Sequence, residues 1–299
     1  MVCKRLFVER QKRKKYFKQF KLWINTQSPL FVLAKLAGVS TKTLQRAFDT
    51  YLSYPPEPNR VKIRQEVWLK VDATYFSKWG CLIVYTAGKD ILYWQYAERE
   101  HDLMYQAGIR WLQSKGYVIL GVTSDWHGSI VRAVQRIYPH IPHQRCLIHT
   151  QRQCESILTQ NPKTEAGQSL RFLVLELNHI TSEYEKNMWI KWFALWRKRY
   201  EHMIKERTYL KTEEGKSTWW YTHKNLRKVY RSLVSSQDHL FLYLDHKNLD
   251  KDTNGLEGEF KHLKAKIGAH SGMRKFERMA YISWYLYFKK GNKDKIGWF

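Results

Sequence analysis

Three carboxylates in this 299-residue chain have the residue type and the sequence setting to share a divalent cation. Asp72 stands in WLKVDATYF and Asp125 in ILGVTSDWHG, each at the C-terminal end of a stretch that reads as a β-strand. Glu257 stands in DTNGLEGEFKHLKAKI, residues 252–267, at the head of a basic amphipathic helix. Hard cations such as Mg²⁺ or Mn²⁺ take oxygen ligands and keep waters, so two aspartates and one glutamate, with a phosphate completing the shell, make a suitable set. Two such ions roughly 3.5 to 4 Å apart activate an attacking oxygen and stabilise a leaving one in phosphodiester chemistry. Each carboxylate also has a structural reading. Asp125 is placed to cap a helix starting near His127, and Asn254 as N-cap with Glu257 three positions on fits a variant capping box. Glu259 competes with Glu257 for the third position. Taken singly each residue leans to the structural reading; taken together, with the strand placement and the charge of the chain, they point to metal chemistry.

A second cluster, HQRCLIHTQRQC, holds His143, Cys146, His149 and Cys154. The residue types suit zinc, but the spacing matches no finger pattern, so zinc is disfavoured. Cys146 and His149 read instead as residues that hold a carboxylate or a strand end in place. A Gly-rich phosphate loop is absent, and a serine triad would have to be assembled from scattered residues.

The charge selects the partner. Lys and Arg number 52 against 27 Asp and Glu, a net +25 spread along the whole sequence, which favours a polyanion, and nucleic acid is the leading partner. Hydrophobic residues make up 43% and aromatics 15%, which excludes an extended basic tail and implies a folded core. The four cysteines, Cys3, Cys81, Cys146 and Cys154, do not form a dense disulfide framework, and no signal peptide or run of 18 apolar residues is present. A reducing, cytoplasmic setting with no membrane partner is expected.

The elements that must position the carboxylates follow in chain order. Residues 4–21 are a basic arm with Phe7, Tyr16, Phe17 and Phe20 interleaved, suited equally to phosphates and to a solvated helix face. Residues 29–52 contain one apolar stripe, Val32, Leu33 and Leu36, and a second, Leu44, Ala47, Phe48 and Tyr51, separated by a turn at residues 38–40. Ser40 fits the N-cap of the second helix, leaving Thr41, Lys42, Thr43, Gln45 and Arg46 outward, the grammar of a helix-turn-helix whose second helix reads a groove. A helical hairpin used only for packing fits the same pattern. YPPEPNR, residues 54–60, cannot continue a helix and marks a linker. Period-two alternation then predicts strands over 66–72, 81–86 and 91–97, with a turn at 87–90; helical spacing predicts a helix over 102–114, a continuous apolar run a buried strand over 117–122, and a helix over 128–137 and a short strand over 144–148 follow. That order implies an α/β fold, a mixed five-stranded sheet flanked by helices. Residues 150–244 lose the strand signal and read as an α-helical insertion, and 273–290 as an aromatic helix packed on the sheet. Trp219 and Trp220 suit either a base-stacking platform or, by preference, a core.

VDATYF, GVTSDWHGSIVRAVQRIYP, QRCLIH and TNGLEGEFKHLK together resemble the DDE transposases of bacterial insertion sequences related to the Mutator superfamily, over residues 62–290. The resemblance implies a ribonuclease-H-like core, interrupted by an all-helical insertion between the second aspartate and the glutamate. It also implies a DNA transposase that cleaves and joins phosphodiester bonds at the ends of its own element. Asp72, Asp125 and Glu257 would then be the catalytic, metal-holding residues for two Mg²⁺ (or Mn²⁺), and Cys146 with His149 the family's Cys-x-x-His signature. Lys261 and Lys264 on the glutamate helix, with Thr41, Lys42, Thr43, Gln45 and Arg46, are the expected DNA contacts, and Lys266 is grouped with those lysines. The resulting domains are 1–53, basic arm and helix-turn-helix; 54–61, linker; 62–149, first part of the core; 150–245, insertion; and 246–299, end of the core with the glutamate helix. Double-stranded DNA, as terminal repeats and as target, a homodimer in the synaptic complex and a bacterial, nucleoid-associated location complete the expectation. Relatives often begin with a zinc ribbon and continue with Arg-Asn after the signature; here the chain opens on Cys3 alone and Gln153 follows Arg152. A decayed or domesticated DNA-binding protein and a nuclease of the same fold are the alternatives.

Overall fold

The computed structural model describes residues 15–58, 64–211, 217–270 and 272–289. Most of the basic arm and residues 59–61 of the linker lie outside the described residues. A five-stranded sheet runs in the order β3-β2-β1-β4-β5, from β1 (Gln65–Tyr75), β2 (Cys81–Ala87), β3 (Asp90–Ala97), β4 (Tyr117–Ser124) and β5 (His143–Arg145). It is mixed, since β2 and β3 pair antiparallel through the tight turn at Gly88, whereas β4 and β5 pair parallel, Val122 opposite His143 and Ser124 opposite Arg145. The architecture is that of a ribonuclease-H-like fold with a helical insertion and N-terminal helices, as the sequence implies.

By its internal contacts the chain forms two compact units. The first comprises residues 1–67, 71–118 and 255–299. Its helices α1 (Phe17–Asn25), α2 (Leu30–Leu36) and α3 (Thr41–Leu52) share one hydrophobic core with α11 (Asn254–Ala269) and α12 (Lys275–Lys289), and with Leu82, Val84, Ile91 and Trp94 of β2 and β3. Fully buried aromatics drive this packing, at roughly 1.5–3 kcal/mol each for side chains such as Phe20 and Phe48. Their polar ends are matched: the Trp284 indole donates to the Tyr51 carbonyl at 3.0 Å and the Tyr281 hydroxyl to the Ile24 carbonyl at 3.0 Å. Helix α4 (Asp102–Ser114) lies against β2 so closely that a Cβ on Gly108 would run into the Tyr85 hydroxyl. Gln95 on β3 donates both to that hydroxyl and to the Met104 carbonyl on α4, which secures the contact.

The second unit comprises residues 68–70 and 119–254. Helices α6 (Leu147–Leu158), α7 (Glu165–Glu176), α8 (Glu183–Lys205) and α9 (Lys224–Val234) form the insertion around a core of Leu170, Trp189, Phe193, Trp196 and Leu233. Ser182 and Glu185 close a capping box at the head of α8, and the Trp189 and Trp196 indoles donate to the carbonyls of Leu173 and Ala166 on α7. Within this helical region the chain also makes an antiparallel ribbon, β6 (Arg207–Lys211) with β7 (Ser217–Tyr221), which periodicity did not separate from its surroundings. The short helix α10 (Leu242–Asp245) follows α9.

Four expectations are corrected. Strand β1 continues to Tyr75, so Asp72 lies inside it and not at its end. The fifth strand stops at Arg145, because Cys146 already caps α6. In α2 the inward residues are Leu33 and Ala34, while Val32 and Leu36 face outward. Helix α11 begins at Asn254 itself, whose N–H donates to the Asp252 carboxylate at 2.9 Å, so Asn254 is not the cap and Glu257 falls one position beyond a capping box.

Candidate active site

Asp72 and Glu257 belong to the first unit and Asp125 to the second. Asp72 is buried, 4% exposed, and its Oδ1 accepts from the Ala73 N–H at 2.8 Å. Glu257 is half-buried in the first turns of α11. Its rival is engaged elsewhere: Glu259 accepts from the Tyr285 hydroxyl at 2.9 Å and pairs with Lys289 at 3.1 Å.

Asp125 follows the last residue of β4 and accepts from the His127 N–H at 3.0 Å, an Asx-turn leading into α5 (Gly128–Ile137), whose N-cap is His127. Between them Trp126 has φ 69°, a left-handed conformation that costs a bulky residue about 1–3 kcal/mol. Packing holds it there: its ring lies 4.8 Å from that of His143 and 4.5 Å from that of His239. His143 shares a hydrogen bond with the Ser124 hydroxyl at 2.9 Å. Burial, with His239 nearby, pushes its pKa down to about 3, so the ring is neutral at ordinary pH. Next on β5, Arg145 is buried with its guanidinium directed at Ser232, Ser236 and Gln153, and Gln144 donates to the Leu240 carbonyl. These bonds fasten the insertion to the strand beside Asp125.

The Cys-x-x-His pair reaches Thr253, the residue before the glutamate helix. Cys146 donates its N–H to the Ser124 carbonyl at 2.7 Å, one residue before Asp125. Its Sγ accepts from the Thr253 N–H at 3.3 Å and stands 3.2 Å from His149 Nδ1. The Thr253 hydroxyl completes the triangle, 3.3 Å from His149 Nδ1 and 3.5 Å from the sulfur. Cys146 and Thr253 are both fully buried. Burial pushes the Cys146 thiol up, so sulfur stays protonated, the form that gives one S–H and still accepts from the amide.

Thr253 is one of several anchors on the segment that leads into α11. Asp250 accepts through its carbonyl from the Thr123 hydroxyl at 2.6 Å and through its carboxylate from Lys70 at 3.1 Å. The Lys251 carbonyl accepts from the Leu147 N–H at 3.0 Å. Inside one compact unit, therefore, residues flanking each carboxylate are tied together: Lys70, two before Asp72; Ser124, one before Asp125; and Thr253, four before Glu257. Sequence reasoning missed Lys70, Asp250 and Thr253. Only the adjacency of Thr253 to the glutamate helix could have drawn notice to it.

The other candidates separate. Cys154 lies in the core of the insertion, its thiol pushed up to about 11 by burial, and His143 is held by Ser124, so of the four residues considered for zinc only Cys146 and His149 meet. Among the described residues no group of three or more His, Cys, Asp or Glu side chains is close enough to hold a metal ion. In kind, the carboxylates Asp72, Asp125 and Glu257 fit a hard divalent cation, since every donor is oxygen. Ser40 caps α3 by accepting from the Thr43 N–H at 3.2 Å. Thr41, Lys42, Thr43, Gln45 and Arg46 are exposed on α3, with the Gln45 amide donating to Asp49. Lys261 and Lys264 are exposed on α11. Lys266 is not available in the same way, because its ammonium donates to the Asn25 carbonyl. Trp219 and Trp220, preferred as core residues, are each 46% exposed. No described helix is long and apolar enough to cross a membrane.

Residues 122–267 match the family model described as Transposase IS66 family. The chain thus carries a DDE-transposase domain over that span, which includes Asp125, Cys146, His149, Thr253 and Glu257 and leaves Asp72 outside. No curated protein matches the chain.

Proposed function

We propose that this chain is a metal-dependent DNA transposase that cleaves and joins phosphodiester bonds at the ends of its own insertion sequence. Asp72, Asp125 and Glu257 are its metal-holding residues, for Mg²⁺ or Mn²⁺. The observation that carries the reading is the web linking Lys70, Ser124 and Thr253, which holds the flank of every member of the triad within one unit. A network of bonds that joins two strand residues, Lys70 and Ser124, to the segment before α11 is what pre-organised catalysis requires, because reactive groups must be held within a fraction of an ångström. When bound, the cations supply charge stabilisation to the phosphate oxygens. The protein's own part is to hold the carboxylates: Cys146 and His149 fix the segment entering α11, and Trp126 fixes the turn at Asp125.

The Mutator-superfamily placement belongs to the same proposal and rests on the Cys146-x-x-His149 and Asn254-x-x-Glu257 motifs. The partners are double-stranded terminal repeats and target DNA, with Thr41, Lys42, Thr43, Gln45 and Arg46 of α3 and Lys261 and Lys264 of α11 as contacts, and a homodimer when two ends are synapsed. The test uses labelled element ends and a target plasmid. Joined products support the transposase, nicks alone indicate a nuclease, and shifted but intact DNA indicates a binding protein. Asp72→Asn should abolish joining in Mg²⁺ while retaining binding; undiminished joining refutes the triad.

A further inference from the structure

The ribbon β6–β7 has no place in the chemistry above, yet it displays the aromatic residues that a core would claim first. Its register sets Arg207 opposite Tyr221 and Tyr209 opposite Trp219, and strand alternation puts these four side chains on one face. The Arg207 guanidinium lies 4.1 Å from the Trp219 ring centre and 5.6 Å from that of Tyr221. From α9, the Arg227 guanidinium covers Tyr221 at 3.8 Å. Trp219 and Tyr221 meet edge to face at 5.3 Å. Despite these contacts Tyr209 is 64% exposed and Trp219 46%. Neither is among the residues of the insertion's core or packed against it.

An isolated two-stranded ribbon is marginal in water, so exposing a tryptophan and a tyrosine on it wins little stability. What the arrangement offers is an exposed face of aromatic rings and guanidinium planes. Such a surface repels an ammonium ligand and attracts a planar aromatic group that carries anionic charge beside it. The surroundings agree: residues 186–231 contain 13 Lys and Arg against 4 Asp and Glu. Inside a duplex, bases present their edges and not their faces. Stacking on the ribbon therefore needs bases that are unpaired.

We infer that the face of Arg207, Tyr209, Trp219 and Tyr221 is a binding site for unpaired bases of a DNA strand, as they occur at a frayed, nicked or overhanging end. This deepens the transposase reading and rests on it, since it specifies which part of the DNA the insertion recognises. Arg207 and Arg227 hold the rings in position and meet the adjoining phosphates, while Trp219 and Tyr209 supply the stacking surface.

The experiment compares the full chain's affinity for a blunt duplex and for the same duplex with a short single-stranded overhang carrying 2-aminopurine. The wild type should prefer the overhang on the order of tenfold per stacked base and quench the 2-aminopurine emission on binding. Trp219→Ala and Arg207→Ala should erase both the preference and the quenching while blunt-duplex affinity stays within about twofold. Trp219→Phe should keep most of each, since it retains a ring. Circular dichroism of the variants verifies that the fold is intact. Equal affinity of the wild type for the two DNAs overturns the inference and leaves the transposase reading standing. So does a variant that keeps the preference, or one that loses blunt and overhanging DNA alike. A wild type that binds neither DNA removes both readings together.

Discussion

Cys146→Ala is the sharpest test of the link between the Cys-x-x-His pair and Thr253, the residue before the glutamate helix. The substitution removes the acceptor of the Thr253 N–H, a fully buried amide, and the partner of His149 Nδ1. An orphaned buried donor costs about 1–3 kcal/mol, and the lost sulfur packing adds roughly 1 kcal/mol, for a total of about 2–4 kcal/mol. Thr253→Val is the internal control. It preserves the side-chain shape and the N–H to sulfur bond and loses only the hydroxyl, whose distances of 3.3 and 3.5 Å are long, so its cost should be about 1 kcal/mol. Urea unfolding of both variants gives the difference directly. Cleavage of labelled element ends, measured beside affinity for the same DNA, gives the functional consequence. If Thr253 fixes the start of α11, Cys146→Ala should lower cleavage on the order of 100-fold with little change in DNA affinity, because misplacing a ligand by about an ångström has that effect. The reasoning fails if Cys146→Ala is no more destabilising than Thr253→Val. It fails equally if cleavage and affinity fall in step, which would describe general unfolding and not a lost position.

Further outcomes follow from the same contacts. His143 has its folded-state pKa depressed to about 3 by burial. Its unfolded form binds a proton below about pH 6.5, so its contribution is complete above that pH and is lost progressively as pH falls toward 3, reaching about 2 kcal/mol by about pH 5. Urea titrations at neutral pH and at about pH 5 should show this loss, and His143→Gln should reduce it; an acid sensitivity unchanged in the variant contradicts the assignment. Glu257→Gln should abolish cleavage and joining. Glu259→Gln, which weakens the contacts to Tyr285 and Lys289, should retain them with a stability change within about 1 kcal/mol. The reverse pattern would move the third ligand to Glu259.

Much of the framework was legible in the residues because it is local. The helices Asp102–Ser114 and Gly128–Ile137 lie over the residues expected of them, although the first buries Tyr105, Ile109 and Leu112 and leaves Leu103, Ala107 and Arg110 exposed. Both follow from the match between side-chain period and backbone geometry, which a short window of sequence contains. Asp72, Asp125 and Glu257 could be proposed from type and sequence setting, but the strand-end position expected for Asp72 was not met, since β1 runs on to Tyr75. Other properties depend on residues far apart in the chain. That Glu259 is engaged needed Tyr285, and that Lys266 is engaged needed Asn25. Cys146 had to meet Thr253, 107 positions away, before the signature acquired a mechanical role. The outward placement of Trp219 and Trp220 shows the same division from the opposite side. Composition assigns tryptophan to a core, but whether a core lies beneath a given strand is settled by what packs there, and no periodicity within five residues records it.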